Sequence, residues 1–233
     1  MALKLTRDQA ITIAKGMARD PSTDDTKSRF PVAKYQEWLE EAYIYHLAIL
    51  PLSLCRGARQ MALFTLPANY NSVFEIFGND SLSYFTQYGS DVPYTESNVR
   101  SHPELCLRVA RVSWCGRDCD VVNSDKEFLR GEESSYFKGT VARPRALVAG
   151  KWLQVAPVLN YAAGGVFVYI ARPLNLDINY TLLLEAEAAH LVAKYVACRK
   201  FEVDGEGQAY QMLYREYQEE LQNLIKIYGN VGE

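Results

Sequence analysis

With 233 residues, 48% of them hydrophobic, the chain is long enough to bury a core without disulfide or metal staples. Its net charge is −3, and no run approaches about 18 uninterrupted apolar residues, so no membrane-spanning helix is expected. By segment the charge is +2 over 1–60, −4 over 61–99, +3 over 100–154, zero over 155–184 and −4 over 185–233; without a stripe of Lys and Arg to displace counterions, tight sequence-independent DNA binding is not expected.

Thr6 and Gln9 form a capping-box signature, and Ala10, Ile13, Ala14 and Met17 follow at helical spacing, which predicts a helix from Arg7 to Arg19. The polar stretch Asp20 to Arg29 reads as a loop. Its aspartates do not make an EF-hand, because Asp25 would fall at the glycine position and Pro31 at the bidentate glutamate.

Pro31 suits a helix start, and Val32, Tyr35, Leu39, Ala42, Tyr43, His46, Leu47 and Leu50 share one face of the helix that follows. A second apolar set, Trp38, Tyr45, Ile49 and Leu52, lies round the side. A helix apolar on two faces is sandwiched, which makes Trp38, Tyr45 and Ile49 candidate subunit-interface residues. Pro51 ends or kinks the helix.

Arg59 to Pro67 favours a strand. Between Met61 and Val99 there is no lysine or arginine, while Glu75, Asp80, Asp91 and Glu96 accompany a series of aromatic residues. Aromatic rings supply large, stiff contact area, so Tyr70, Phe74, Phe77, Tyr84, Phe85, Tyr88 and Tyr94 form a candidate contact surface. The competing reading is a loop whose rings pack on its own domain.

Leu105, Leu107, Val109 and Val112 predict a half-buried strand with Arg108 and Arg111 near its other face, and Gly116 to Cys119 a turn. Ser124 with Glu127 three residues on predicts a capped helix over Asp125 to Arg130. Arg145–Val148, Lys151–Ala156 and Val166–Ala171 then read as an antiparallel meander, with Gly164-Gly165 in its second hairpin turn. Arg143, Arg145, Lys138 and Lys151 read as a solvated rim, with phosphate or an acidic subunit as the alternative ligand.

Thr181 to Phe201 is predicted as a helix with Leu184, Ala188, Leu191, Val192, Tyr195 and Val196 on its core stripe. In the last helix Tyr210, Leu213, Tyr214, Tyr217, Leu221, Leu224, Ile225 and Tyr228 fall on one face. The fold class expected is α+β: a helical bundle with a small antiparallel β-meander and an aromatic-rich insertion. Residues 1–233 form one domain, with helices over 6–56 and 181–228 and a β-rich part over 57–173 that includes the insertion at 68–103.

His102, Cys106, Cys115 and Cys119 supply zinc-type ligands, but the Cys-x3-Cys gap departs from zinc spacing and buried free thiols fit better. No nucleophile elbow, HExxH, Walker loop or Gly-x-Gly-x-x-Gly occurs, and His46 and His190 lie within amphipathic helices. No metal, cofactor or catalytic residue is assigned. The five cysteines, odd in number and irregularly placed, together with an N-terminus lacking an apolar signal core, point to synthesis in a reducing cytoplasm.

The order of parts resembles the head-to-tail connector proteins of tailed bacteriophages, the adaptor and tail tubular ring family. The residues that carry the likeness are Phe30-Pro31 opening the Tyr35–Leu50 helix, Leu63-Phe64-Thr65-Leu66-Pro67 at its exit, and the Ser124–Arg130 helix. Pro144–Val148 with Trp152–Pro157, Tyr169–Pro173 and the closing Ala209-Tyr210 and Tyr214–Leu221 complete it. About three quarters of the chain is covered, by layout and not by any specific signature. The insertion from Tyr70 to Pro103 is longer than in typical members.

The resemblance implies a non-enzymatic structural virion protein of the neck or tail, made in the host cytoplasm. It implies a homo-oligomeric ring, usually sharing the portal's twelvefold symmetry, that joins portal to tail while DNA passes without specific binding. On that reading the aromatic insertion is the tail contact, and Leu224, Ile225, Ile227 and Tyr228 dock the portal as an apolar helix face. The alternatives are another tail or neck ring that does not touch the portal, and a hydrolase using Cys115 or Cys198 with a distant histidine.

Overall fold

The helical stretches at the two ends of the chain come together in one unit, Met1–Ala58 with Pro173–Glu233, and Arg59–Arg172 form a second. The structure, a computed structural model, describes residues 4–20, 28–71, 74–75, 85–90, 106–134, 136–149, 152–171 and 180–229. In chain order its elements are α1 (Arg7–Met17), α2 (Val32–Ile49), a 3-10 turn (Leu52–Ala58), β1 (Arg59–Leu66), β2 (Phe74–Glu75), β3 (Phe85–Ser90), β4 (Cys106–Trp114), β5 (Arg117–Asp118), β6 (Asp120–Val122), α3 (Asp125–Glu133), β7 (Arg145–Ala149), β8 (Trp152–Ala156), β9 (Ala163–Ala171), α4 (Ala186–Asp204) and α5 (Gly207–Tyr228). The class is α+β.

In the helical unit, α4 packs against α1, α2 and α5. The capping box of α1 forms as expected: the Gln9 N–H donates to Thr6 Oγ1 at 3.3 Å and the Thr6 N–H to Gln9 Oε1 at 2.9 Å. The helix ends at Met17, short of the expected Arg19, because Arg19 takes a left-handed φ of 54°. Pro31 is the N-cap of α2, and Leu50, extended before Pro51, closes it.

The Thr181–Phe201 helix is corrected to Ala186–Asp204. Its expected first turn stays non-helical because neighbours take its backbone donors. Leu182 N–H donates to Leu5 O (2.9 Å), Leu183 N–H to the Tyr43 phenol oxygen (2.8 Å) and Glu185 N–H to Leu54 O (3.0 Å). At the other end Lys200 pairs with the buried Asp204 carboxylate at 2.7 Å, and Gly205, at φ 75°, terminates the helix.

The β unit is a sandwich with a helix on one side. The five-stranded sheet runs β3-β1-β9-β4-β5 and the four-stranded sheet β2-β8-β7-β6. Phe64, Leu66, Val112, Trp114, Phe167 and Tyr169 of the first meet Ala146, Val148, Leu153 and Val155 of the second in one core. Truncating the fully buried Leu153 to alanine removes packing worth about 2–5 kcal/mol. The alternate residues Leu147 and Ala156 pack with Val122 and with Phe128 of α3 on the outer face of the four-stranded sheet. With both faces covered, β7 reads as a continuous apolar run.

The meander is corrected. β7 and β8 pair antiparallel as expected, but Val166–Ala171 lies within β9, which pairs with β1 and β4 in the other sheet, and β6 pairs parallel with β7. Gly164-Gly165 is therefore in a strand and not a hairpin turn. Register places Gly165 between Phe64 and Trp114, whose rings stack over it at 5.8 Å with planes 2° apart. The hairpin turn after β4 is Cys115-Gly116, with φ of 52° and 75°, the double left-handed pattern of a type I′ turn. The pairing of β4 with β9 shifts register between Val109 and Arg111, which lets Val109 and Val112, three apart, reach the same core. Ser124 is the N-cap of α3 without a side-chain cap bond, and the helix runs past Arg130 to Glu133.

Candidate docking surface

The last turns of α5 leave apolar side chains uncovered. Ile225 is 42% and Ile227 60% exposed, while Leu224 and Tyr228 are half-buried. Ser53 Oγ donates to the Tyr228 carbonyl at 3.2 Å, satisfying one of the helix's terminal acceptors. The Tyr228 hydroxyl donates to Glu187 Oε2 at 2.9 Å, and that carboxylate pushes the phenol's pKa up. Between these elements lies a groove of about 310 Å³, lined by Ser53, Arg56, Glu185, Ala186, Glu187, Ile227 and Tyr228.

Among the candidate subunit-interface residues, Tyr45 is 44% exposed and Ile49 half-buried. Trp38 is corrected to the core: it is 3% exposed and held edge-on by Phe30 and Tyr35, with ring centres 5.3 and 5.4 Å away. Tyr45 stacks on Tyr195 at 5.7 Å, and the series continues through Tyr217, Tyr214 and Tyr210 at spacings of 5.2 to 5.7 Å. Such contacts are worth about 0.5–1.5 kcal/mol each beyond area burial.

Of the aromatic contact set, Phe77, Tyr84 and Tyr94 lie outside the described residues. Tyr70 is half-buried and packs on the sandwich core. Phe74 pairs with Leu153 in β2, and Phe85 and Tyr88 pair with Phe64 and Ala62 in β3, so the insertion supplies an edge strand to each sheet.

The basic rim is corrected at Arg145, which is buried, its guanidinium 5.6 Å above the Phe128 ring. Arg143 and Lys138 are exposed, and Lys151 lies outside the described residues. Sequence periodicity missed Tyr136 and Phe137, 92% and 72% exposed on the loop after α3. The signal available was an aromatic pair beyond any amphipathic element.

Burial pushes the thiols of Cys119 and Cys198 up to about 12, and that of Cys115 upward. His102 lies outside the described residues, and among those described no cluster of metal-ligating side chains occurs. Nor is any described helix long and apolar enough to cross a membrane. No protein-family model matches the chain, and no curated protein matches it significantly.

Proposed function

We propose that this chain is a structural ring protein of the head-to-tail connector type, assembling as a homo-oligomer between the portal and the tail of a virion. The observation that carries the reading is the end of α5, where the exposed Ile227 lines a groove of about 310 Å³ and Ile225, on another face of the helix, is also exposed. An exposed aliphatic side chain in a concavity that also carries Glu185, Glu187 and Arg56 suits a protein partner. Tyr45, Tyr195, Tyr214 and Tyr210, partly exposed around the buried Tyr217, offer rigid aromatic area of the kind enriched at interfaces.

The thiol chemistry also favours a structural role. A cysteine nucleophile acts as thiolate, and burial holds Cys115, Cys119 and Cys198 in the thiol form at neutral pH. His46 is committed to structural hydrogen bonds.

The test is native mass measurement of the purified chain, alone and mixed with a purified phage portal protein. A closed ring, or a monomer that assembles stoichiometrically on the portal, supports the reading. A monomer that ignores the portal overturns it.

A further inference from the structure

The loop after α3 is held firmly while presenting its largest side chains to solvent. The Lys138 N–H donates to Ser134 O at 2.9 Å and the Gly139 N–H to Glu132 Oε1 at 2.8 Å. Thr140 and Arg143 exchange backbone hydrogen bonds at 3.0 Å each. Gly139 is buried, and a Cβ there would lie 2.8 Å from the Ala156 Cβ, so this backbone sits directly against β8. Yet Tyr136 and Phe137 are the two most exposed large hydrophobic residues described, at 92% and 72%. Two adjacent aromatic rings on a fixed backbone lose little entropy on binding, the property of an interface anchor.

We propose that Tyr136 and Phe137 of one copy seat in the α5-end groove of the next copy, making a head-to-tail contact. Charge argues for this occupant. The loop 134–144 carries Lys138 and Arg143 and no acidic residue, whereas the groove lining, with Glu185 and Glu187 against Arg56, is net acidic and belongs in part to a segment, 185–233, of charge −4. Size agrees: a groove of about 310 Å³ walled by Ala186, Ile227 and Tyr228 takes aromatic side chains and not a whole helix. Knob and groove are different patches, so the contact is heterologous, the kind that generates rings. The inference rests on the ring reading above, and it moves Ile227 and Tyr228 from the portal to the neighbouring copy, leaving Leu224 and Ile225 for the portal.

Native mass measurement of four proteins tests it, with portal added if the unaltered chain is monomeric alone: the unaltered chain, Tyr136→Ser with Phe137→Ser, Lys138→Glu, and Lys138→Glu with Glu185→Lys. The expected result is an oligomer for the first, monomers of unchanged melting temperature for the second, at least tenfold weaker association for the third, and recovered association for the fourth. A ring that survives the double serine variant overturns this contact while leaving the ring reading intact. Loss of association in Lys138→Glu that Glu185→Lys does not repair assigns the knob to another acceptor and also overturns the contact. An unaltered chain that forms no ring in either condition overturns both.

Discussion

The Tyr217 hydroxyl donates to Nε2 of His46 at 3.1 Å, tying α5 to α2 across 171 residues of chain. The tautomer follows from the other nitrogen. Nδ1 lies 2.6 Å from the Ala42 carbonyl, which only accepts, so Nδ1 carries the hydrogen and Nε2 receives the phenol's. Burial pushes the His46 pKa down to about 4, against a weaker opposing pull from the Ala42 carbonyl, so the ring is neutral at pH 7.

The pH dependence has a definite sign. The unfolded histidine binds a proton near pH 6.5 and the folded one only near 4, so the unfolded state holds more protons between those values. Stability is complete above pH 6.5 and falls as pH drops towards 4. The expected loss between pH 7 and pH 5 is about 2 kcal/mol from this residue. Thermal melts of the unaltered chain and His46→Gln across that window check it: the variant is less stable at pH 7 but lacks this slope, and an equal slope in both would contradict the assignment.

Gly165 and its neighbour Gly164 behave oppositely. A Cβ at Gly165 would fall 2.2 Å from Phe64 Cζ and 2.7 Å from the Ser113 carbonyl, whereas one at Gly164 meets nothing nearer than the Phe64 carbonyl at 3.6 Å. Gly165→Ala must break the Phe64–Trp114 stack or displace β4, so it costs more than about 2 kcal/mol. Gly164→Ala stays within about 0.5 kcal/mol of the unaltered chain. Urea denaturation of the two single variants separates a strand position from the turn position that the glycine pair suggests.

Local signals were readable in the sequence and distant pairings were not. Thr6 and Gln9 announce α1 because both partners of the capping box lie within one turn. Pro31 and Pro51 bracket α2 for the same local reason. The run Val166–Ala171 is equally apolar whether it pairs with β8 or with β1 and β4, and only the assembled sheet distinguishes these. Gly164-Gly165 looks like a turn because the rings that require Gly165 are about a hundred and about fifty positions upstream, at Phe64 and Trp114. The groove at the end of α5 is hidden for the same reason, since Ser53, Glu185 and Ile227 come from three separated segments. The apolar face of α5 was legible, but which of its residues stay exposed depends on where α4 covers it.

Arg145 shows that a sequence-basic cluster can be a core element, and it couples to Gly131. Its Nη1 donates to the Phe128 carbonyl at 3.3 Å and lies 3.7 Å from Glu132, and its Nε lies 3.7 Å from Asp120. A Cβ at Gly131 would sit 1.6 Å from that Nη1. Gly131→Ala therefore destabilises the unaltered chain by about 1–3 kcal/mol. With Arg145→Met already present, the same change becomes neutral or stabilising by up to about 1 kcal/mol, since alanine is the better helix former. A double-mutant cycle by urea denaturation measures the coupling, and additive effects would contradict it.

Thiol reactivity distinguishes a structural protein from a cysteine hydrolase. Cys198 is pushed up to about 12 mainly by burial, and Cys119 to about 12 by burial with the charges of Asp118 and Asp120 adding to it. Against an ordinary thiol near 9, three units mean about a thousandfold less thiolate at a given pH. Alkylation at pH 7.5, followed by peptide mapping, is expected to modify Cys119 and Cys198 at least about a hundredfold more slowly than in the urea-unfolded chain. Cys55, buried in the helical unit, should follow them, while the half-buried Cys115, in the turn after β4, should react soonest but still below the unfolded rate. The physical reason at Cys115, Cys119 and Cys198 is burial, which outweighs the opposing pull of Lys194 on Cys198 and of a backbone hydrogen bond on Cys119. A single cysteine labelled faster in the folded chain than in the unfolded one would identify an activated nucleophile and reopen the enzymatic alternative.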